Sequence, residues 1–421
     1  MTEYIVINGE NPLQGNVSIS GAKNAAVAIL PAAIASSGVC VIDNLPLIED
    51  VTNLSNAMNS MGAKCTLQDP HTLVVDARDV TGYTLSEKLS KNTRASYYFM
   101  GALLGRFKKA IVPLPGGCDL GSRPIDYHLK GFAALGATYV QEHGVVKLEA
   151  EKLRGANIYL DCPSVGATIN IMIAAVFAEG ITTIENAAKE PHVVDTANFL
   201  NKLGAKIGGA GTATIRVIGV PSLGGGEYTV IPDPIETGTY MIAAAITGGD
   251  ITVDNIIPKH MDSVTAKLTE MGCDITEGTD WIRVRAGSDL RPCEVKTAFY
   301  PGFPTDLQPQ MATLLCKAQG TSVITENIFE HRFRYINELK RLGAQLKVEG
   351  RTAITRGHCV FTGARVTASD LRAGAALVLA GLCAKGETAI CGVSHLDRGY
   401  ERFEEKFRAL GADIKRVKRD E

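Results

Sequence analysis

Neither sign of charge is in excess: 43 Lys and Arg stand against 45 Asp and Glu, a formal net charge of -2. A protein that coats a polyanion without preference needs a basic surplus. Nonspecific nucleic-acid binding is therefore excluded, and any basic site must be local. Metal-binding patterns are also missing. The ten cysteines form no CxxC pair and the eight histidines no HExxH, which argues against a zinc site. Scattered thiols without a disulfide-like framework fit a reducing cytosol, so a cytoplasmic location is expected. Long hydrophobic runs are lacking: the stretch Ala25 to Ala35 is broken by Pro31 and is too short to span a bilayer. The opening MTEYIVINGE has no basic region followed by an apolar core, so neither a signal peptide nor a membrane partner is expected. No GxxxxGK[ST] phosphate loop and no GxSxG elbow occur, and GGGEY at 224–228 is too isolated a glycine run to mean dinucleotide binding.

What is present is an ordinary globular mix, 45% hydrophobic and 21% charged over 421 residues, enough for two or three domains. It is also a repeat. A short tag recurs six times, as MGA, LGA, LGA, MGC, LGA and LGA, with its glycines at Gly62, Gly136, Gly204, Gly272, Gly343 and Gly411. Each tag closes an amphipathic helix, as in Val51, Leu54, Met58 and Met61, whose spacing lines one face. Glycine then supplies the left-handed conformation that ends the helix, and an alternating strand such as AKCTL or AQLKV follows.

Upstream of each tag lies a second helix of different character, beginning near Ser20, Asn92, Ser164, Pro234, Thr305 and Ser369. These helices are rich in alanine and apolar on most faces, so they should be buried and closely packed. Ser, Asn or Thr stands before five of the six starts, as an N-cap requires. A β-branched strand follows each one. The remaining segments read as paired strands, WIRVRAG with CEVKTAF and, at the start, EYIVING with GNVSIS. The sixth unit ends without a trailing pair, and the simplest completion folds residues 1–20 back onto the C-terminal half. The expectation is an α/β protein of six αβαββ-type units, three per domain. The domains are 21–229, and 1–20 plus 230–421, with a second crossing near the glycine-rich Leu223–Gly226. Two crossings also suggest a hinge.

Polar residues gather where buried helices need none. Their first turns carry Lys23 and Asn24, Arg94, Ser164 with Gly166, Glu236, Asp306 and Arg372. Helix N-termini offer unpaired N–H groups and positive partial charge, which suit anions. A lysine there is misplaced unless an anion is present; the alternative is a solvated first-turn cation. Asp306 reads either as a dipole-favoured acid or as a general base. Arg332, Arg334 and Arg398 precede amphipathic helices, either as surface cations or as anion ligands. In LPGGCDLGSRPIDYH, Cys118 has no apolar neighbours and Arg123 lies close enough in sequence to lower a thiol pKa. Cys118 is thus a candidate reactive or proton-donating group on a lid, or an incidental exposed cysteine.

The motifs SGAKNA, PGGCDLGSRPID, SVGAT, YPGFPTDLQ, DLRAGAALV and DRGYERFEEK, in this order, resemble the UDP-N-acetylglucosamine enolpyruvyl transferases, the MurA type, from end to end. The resemblance implies a two-domain inside-out α/β barrel with three inner helices per domain. It implies transfer of the enolpyruvyl group of phosphoenolpyruvate to the 3′-hydroxyl of UDP-N-acetylglucosamine with release of phosphate, the first committed step of peptidoglycan synthesis. It assigns proton donation and fosfomycin alkylation to Cys118, and the base at the sugar hydroxyl to Asp306. Lys23, Asn24, Arg123, Arg372 and Arg398 would hold phosphoenolpyruvate. The sugar nucleotide maps onto Asn24, Arg94, Arg123, Pro124, Ile125, Asp126, Tyr127, Ser164, Val165, Gly166, Asp306 and Ile328. Lys23 and Arg398 count with Cys118 and Asp306 as catalytic. No metal, organic cofactor or obligate protein partner is implied.

One departure shows: Cys162 and Pro163 stand where some members place a lysine that reaches the diphosphate. The competing readings are 5-enolpyruvylshikimate-3-phosphate synthase, against which the Cys118 loop and RPID speak, and a non-catalytic UDP-sugar sensor, against which the intact Cys118, Asp306, Lys23 and Arg398 speak.

Overall fold

A computed structural model describes residues 2–90, 94–114, 125–287 and 289–419. Twelve principal helices run through them. In the N-terminal half they are α1 (Lys23–Ile34), α2 (Glu49–Ser60), α3 (Phe99–Phe107), α4 (Asp126–Ala134), α5 (Val165–Ala175) and α6 (Pro191–Lys202). In the C-terminal half they are α7 (Pro234–Thr247), α8 (Asp262–Glu270), α9 (Gln308–Leu315), α10 (Ile336–Arg341), α11 (Leu371–Leu382) and α12 (Phe403–Ala409). Even-numbered helices carry the tag and odd-numbered helices are the apolar ones.

The tag is a Schellman motif written six times. In α2 the Gly62 N–H donates to the Asn59 carbonyl and the Ala63 N–H to the Met58 carbonyl, and the other five repeat the pattern. All six tag glycines have φ between +96° and +108°, where a side chain is strained. The third tag residue and the helix residue it bonds (Met58, Phe132, Leu200, Leu268, Leu339 or Phe407) are both buried. This is the hydrophobic contact that accompanies the motif, and it explains why the tag ends in Ala or Cys.

The apolar helices are buried on every face along most of their length: Ala25–Ile34 in α1, Ile235–Ile246 in α7 and Arg372–Leu382 in α11. In the N-terminal unit α3 packs against both α1 and α5; in the C-terminal unit α7, α9 and α11 pack against one another. The approach of α3 to α5 is close. The Gly101 N–H donates to Asn170 Oδ1 at 2.8 Å, and a Cβ at Gly101 would lie 2.4 Å from the Asn170 carbonyl oxygen.

Among the described residues, three of these helices are capped by a side chain, one of them by a neighbour of the residue expected. Ser164 caps α5, but Asp233 caps α7 and Asp370, not Ser369, caps α11. A 3-10 turn, Thr305–Leu307, precedes α9, so Thr305 lies too early to cap it and its hydroxyl turns to Glu326 instead.

Among the described residues the strands form six sheets, three in each half. In each, a strand that follows an apolar helix pairs antiparallel with a neighbour; it is an inner strand in the five four-stranded sheets, and Lys109–Pro113 is the edge of the three-stranded one. Two strand pairs differ from those expected from the sequence. Trp281–Arg285 pairs with Asp250–Asp254 and Asp274–Glu277, whereas Glu294–Lys296 leads the next sheet, parallel to Ser322–Thr325. Thr2–Asn8 and Gln14–Ser18 likewise do not pair with each other. Thr2–Asn8 lies between Glu387–Cys391 and Asp413–Arg419, taking the hairpin place that the sixth unit lacks, and Gln14–Ser18 runs parallel to Asp250–Asp254.

The described chain forms two compact units, 21–114 with 125–231, and 2–20 with 232–419. Each has its own apolar core. Gly226–Thr229 closes the first unit by running parallel to Val39–Asp43.

Candidate active site

In the C-terminal unit the mouths of α9 and α11 meet on one carboxylate. Asp306, in the turn before α9, accepts from Arg332 Nη2 on Oδ1 and from Arg372 Nη2 on Oδ2, each at 3.1 Å. Both arginine side chains are buried, 2% and 4% exposed, while that of Asp306 is 27% exposed. Arg372 is placed by the Asp370 cap, which accepts its backbone N–H at 2.9 Å, and its guanidinium lies over the Tyr400 ring. Burial alone would pull the Arg372 guanidinium down. Asp306, with Tyr400 and Asp233 behind it, more than offsets that and holds it above its ordinary value, so it keeps its charge. Two guanidiniums on one carboxylate leave a net positive charge. Arg372 Nη1 and Arg332 Nε are buried with no hydrogen-bond partner among the described residues, an arrangement complementary to an anion.

Arg332 also donates to the Thr305 carbonyl at 2.9 Å. Of the two arginines ahead of α10, Arg332 is buried and Arg334 is exposed. Arg398 follows the short helix Ser394–Asp397, half-buried and two residues before Tyr400. Ile328 donates its N–H to Glu326 Oε1 at 2.8 Å. Glu236, the acid in the first turn of α7, has an evident structural task. It accepts from Lys406 Nζ at 2.7 Å and from the Ser20 N–H at 2.9 Å, anchoring the segment where the chain leaves this unit.

In the N-terminal unit the anion expected to justify Lys23 is found inside the protein. Lys23 opens α1, and its ammonium pairs with Asp50 of α2, whose side chain is 4% exposed. Asn24 follows it, half-buried. At α5 the Ser164 hydroxyl accepts from the Ala167 N–H at 3.3 Å, and Val165 and Gly166 form the first turn. Ile125 is buried at the start of α4, followed by exposed Asp126 and half-buried Tyr127. These two helix starts are tied through His128 and Asn170. Asn170 Nδ2 lies 2.9 Å from His128 Nδ1 and donates to the Tyr97 carbonyl at 3.1 Å. A Cβ at Gly166 would sit 3.0 Å from Tyr97 Oη and 3.1 Å from His128 Nε2, so a side chain fits this first turn only if those two side chains shift by a few tenths of an ångström.

Cys118, Arg123 and Pro124 lie outside the described residues, as does the side chain of Arg94, whose backbone opens the 3-10 turn Arg94–Tyr98. Among the described residues, no helix is long and apolar enough to cross a membrane.

A family model of EPSP synthase (3-phosphoshikimate 1-carboxyvinyltransferase) matches residues 7–407. A UDP-N-acetylglucosamine 1-carboxyvinyltransferase from Clostridium botulinum is 57% identical over 412 residues, covering 98% of this chain and 99% of that protein. UDP-N-acetylglucosamine 1-carboxyvinyltransferase 3 from Caldanaerobacter subterraneus is 55% identical over 416 residues, covering 99% and 100%. The crystal structure of the enolpyruvyl transferase NikO from Streptomyces tendae matches with a TM-score of 0.89 at 29% identity, covering 99% of each chain. EPSP synthase from Acinetobacter baumannii matches with a TM-score of 0.78 at 19% identity, a likeness of fold alone. Related from end to end by sequence and by fold, the chain belongs to the EPSP synthase family of enolpyruvyl transferases, in its UDP-N-acetylglucosamine 1-carboxyvinyltransferase branch.

Proposed function

We propose that the chain transfers the enolpyruvyl group of phosphoenolpyruvate to the 3′-hydroxyl of UDP-N-acetylglucosamine, releasing phosphate. This reaction opens peptidoglycan synthesis and cell-wall biogenesis in the cytoplasm. The observation that carries the reading is the Asp306 cluster, a carboxylate gripped by two buried guanidiniums at the mouths of two apolar helices. The donor carries a phosphate and a carboxylate on three carbons, so it needs several cations. Lys23, Arg123, Arg372 and Arg398, with Asn24, take that role, and an arginine fork suits a carboxylate or phosphate bidentately. The sugar nucleotide is assigned to Arg94, Arg123 to Tyr127, and the first turn of α5, whose N–H groups favour a diphosphate. Asp306 and Ile328 meet the amino sugar.

The chemistry is addition followed by elimination. Asp306 takes the proton of the sugar hydroxyl, whose oxygen attacks C2 of the donor while Cys118 protonates C3. A tetrahedral phospho-ketal forms. Loss of a proton from C3 and of phosphate from C2 restores the double bond in the product. An acid and a base of unlike strength are what this sequence requires.

Phosphate release with each acceptor tests the reading: turnover is expected with UDP-N-acetylglucosamine and none with shikimate 3-phosphate. The reverse preference would overturn it, and no turnover with either would favour a sugar-nucleotide sensor. Cys118→Ser is expected to lower turnover about 10²–10⁴-fold and to abolish labelling by fosfomycin, because a hydroxyl is a far weaker acid than a thiol. An unchanged rate would remove Cys118 from the mechanism. Gly166→Ala is expected to weaken UDP-N-acetylglucosamine binding about tenfold, or about 1.4 kcal/mol, as the new methyl pushes Tyr97 and His128 from the α5 mouth. Calorimetric titration reads this directly, and an unaltered dissociation constant would remove the α5 mouth from the nucleotide site.

A further inference from the structure

We propose that Glu326 is a positioning residue for the acceptor substrate: its carboxylate fixes the turn bearing Asp306 against the turn bearing Ile328. The proposal rests on the function above, in which both residues meet the amino sugar.

Glu326 follows the strand Ser322–Thr325 and is 1% exposed. Four donors converge on it. Oε1 accepts from Thr297 Oγ1 at 3.0 Å, from the Ile328 N–H at 2.8 Å and from the Phe329 N–H at 3.0 Å; Oε2 accepts from Thr305 Oγ1 at 3.0 Å. No basic side chain among the described residues forms an ion pair with it. A buried carboxylate without a cation is costly unless hydrogen bonds satisfy it, and here they do.

The donors come from three separate stretches, and two of them lead straight into the candidate site. Thr305 immediately precedes Asp306, and Ile328 with Phe329 forms the loop after Glu326. The third stretch is a rigid base: the Thr297 N–H donates to the Thr325 carbonyl at 2.9 Å, and Asn327 Nδ2 donates to the Thr297 carbonyl at 3.0 Å. Arg332 completes the frame from the other side of Thr305. It binds the Thr305 carbonyl while Glu326 binds the hydroxyl, so the residue before the proposed base is held at two points.

An ionised carboxylate accepts on both oxygens, which matches four converging donors. Glutamine can keep its carbonyl toward the three donors on Oε1 and let the Thr305 hydroxyl rotate to accept from its amide, so it preserves the frame in large part. Alanine dissolves it. A base and a backbone contact displaced by about 1 Å lose rate about 10²-fold without any change in the chemical groups present.

The test is steady-state kinetics of the full chain with both substrates, expressed per competent site counted by calorimetric titration with UDP-N-acetylglucosamine. Glu326→Ala is expected to lower kcat/KM for the sugar nucleotide about 100-fold, through both kcat and KM, with KM for phosphoenolpyruvate within about twofold of the unaltered chain. Glu326→Gln is expected to recover most of the loss. Thr305→Val, which cuts only the link to the Asp306 turn, is expected to lower kcat/KM for the sugar nucleotide about tenfold.

A purely structural role would reduce the number of competent sites and leave both KM values alone. That result overturns the proposal, as does a rise in KM for phosphoenolpyruvate equal to that for the sugar nucleotide. Should Glu326→Ala not fold, Thr305→Val decides, and unaltered kinetics in it also overturn the proposal. Absence of turnover in the unaltered chain would sink this inference together with the function beneath it; turnover that is insensitive to Glu326 and Thr305 sinks this inference alone.

Discussion

Asp306→Asn is expected to lower kcat about 10²–10⁴-fold, the usual weight of a lost general base. The effect should fall on the chemical step, because the amide keeps the shape of the carboxylate but cannot take the hydroxyl proton. The surrounding geometry adds a second, separable consequence. Asp306 accepts from one guanidinium on each oxygen, and an amide can accept on only one. One of the two buried arginines therefore meets an N–H₂ group. Stability should fall by about 1–3 kcal/mol, a figure kept low because the Asp306 side chain is partly open to solvent. Single-turnover rates and thermal unfolding measured on the same preparation separate the two effects. A variant that retains a tenth or more of its single-turnover rate would show that Asp306 anchors arginines and is not the base.

The second large effect is expected at Lys23. Its ammonium pairs with Asp50 in the N-terminal unit, with side chains 13% and 4% exposed. Lys23→Met removes one partner of a buried ion pair, which destabilises by about 3–5 kcal/mol. Activity should fall about 10²–10³-fold from loss of one charged group on the donor phosphate. The double variant Lys23→Met with Asp50→Asn distinguishes the roles. Asparagine removes the buried negative charge, so most of the stability should return while activity stays low. Recovery of activity along with stability would mean that Lys23 only holds α1 to α2.

The contrast between what the sequence discloses and what it conceals follows from the range of the interactions. The tags are local: a glycine at C′ and its apolar neighbour bond and pack within six residues, so six Schellman ends can be read in the string. The buried helices are nearly as legible, because alanine-rich stretches without a polar face have one place to go. Strand partners are different. Glu294–Lys296 alternates like any half-buried strand, and nothing in it tells whether it joins the hairpin behind it or the sheet ahead; the choice is made by the βα connection that follows.

The candidate site divides along the same line. Lys23, Asp306 and Arg372 stand out because charge at the start of an apolar helix is anomalous. Asp50 does not, since an acid in the first turn of an amphipathic helix is ordinary. Its partnership with Lys23 exists only in three dimensions. Arg332 was visible only as one of a pair, and Glu326 gave no signal, because a lone acid after a strand reads as a surface residue until four donors are seen to converge on it.

In the proposed reaction the sugar oxygen attacks carbon and phosphate departs with the bridging oxygen. Phosphoenolpyruvate carrying ¹⁸O in its bridging C–O–P position, incubated with the full chain and UDP-N-acetylglucosamine, tests this most directly by mass spectrometry of both products. The label is expected in the released phosphate, and the sugar nucleotide is expected to gain an unlabelled enolpyruvyl ether at its 3′-oxygen. Retention of the label on the three-carbon fragment would mean cleavage between phosphorus and oxygen, and the reaction would be a phosphoryl transfer instead.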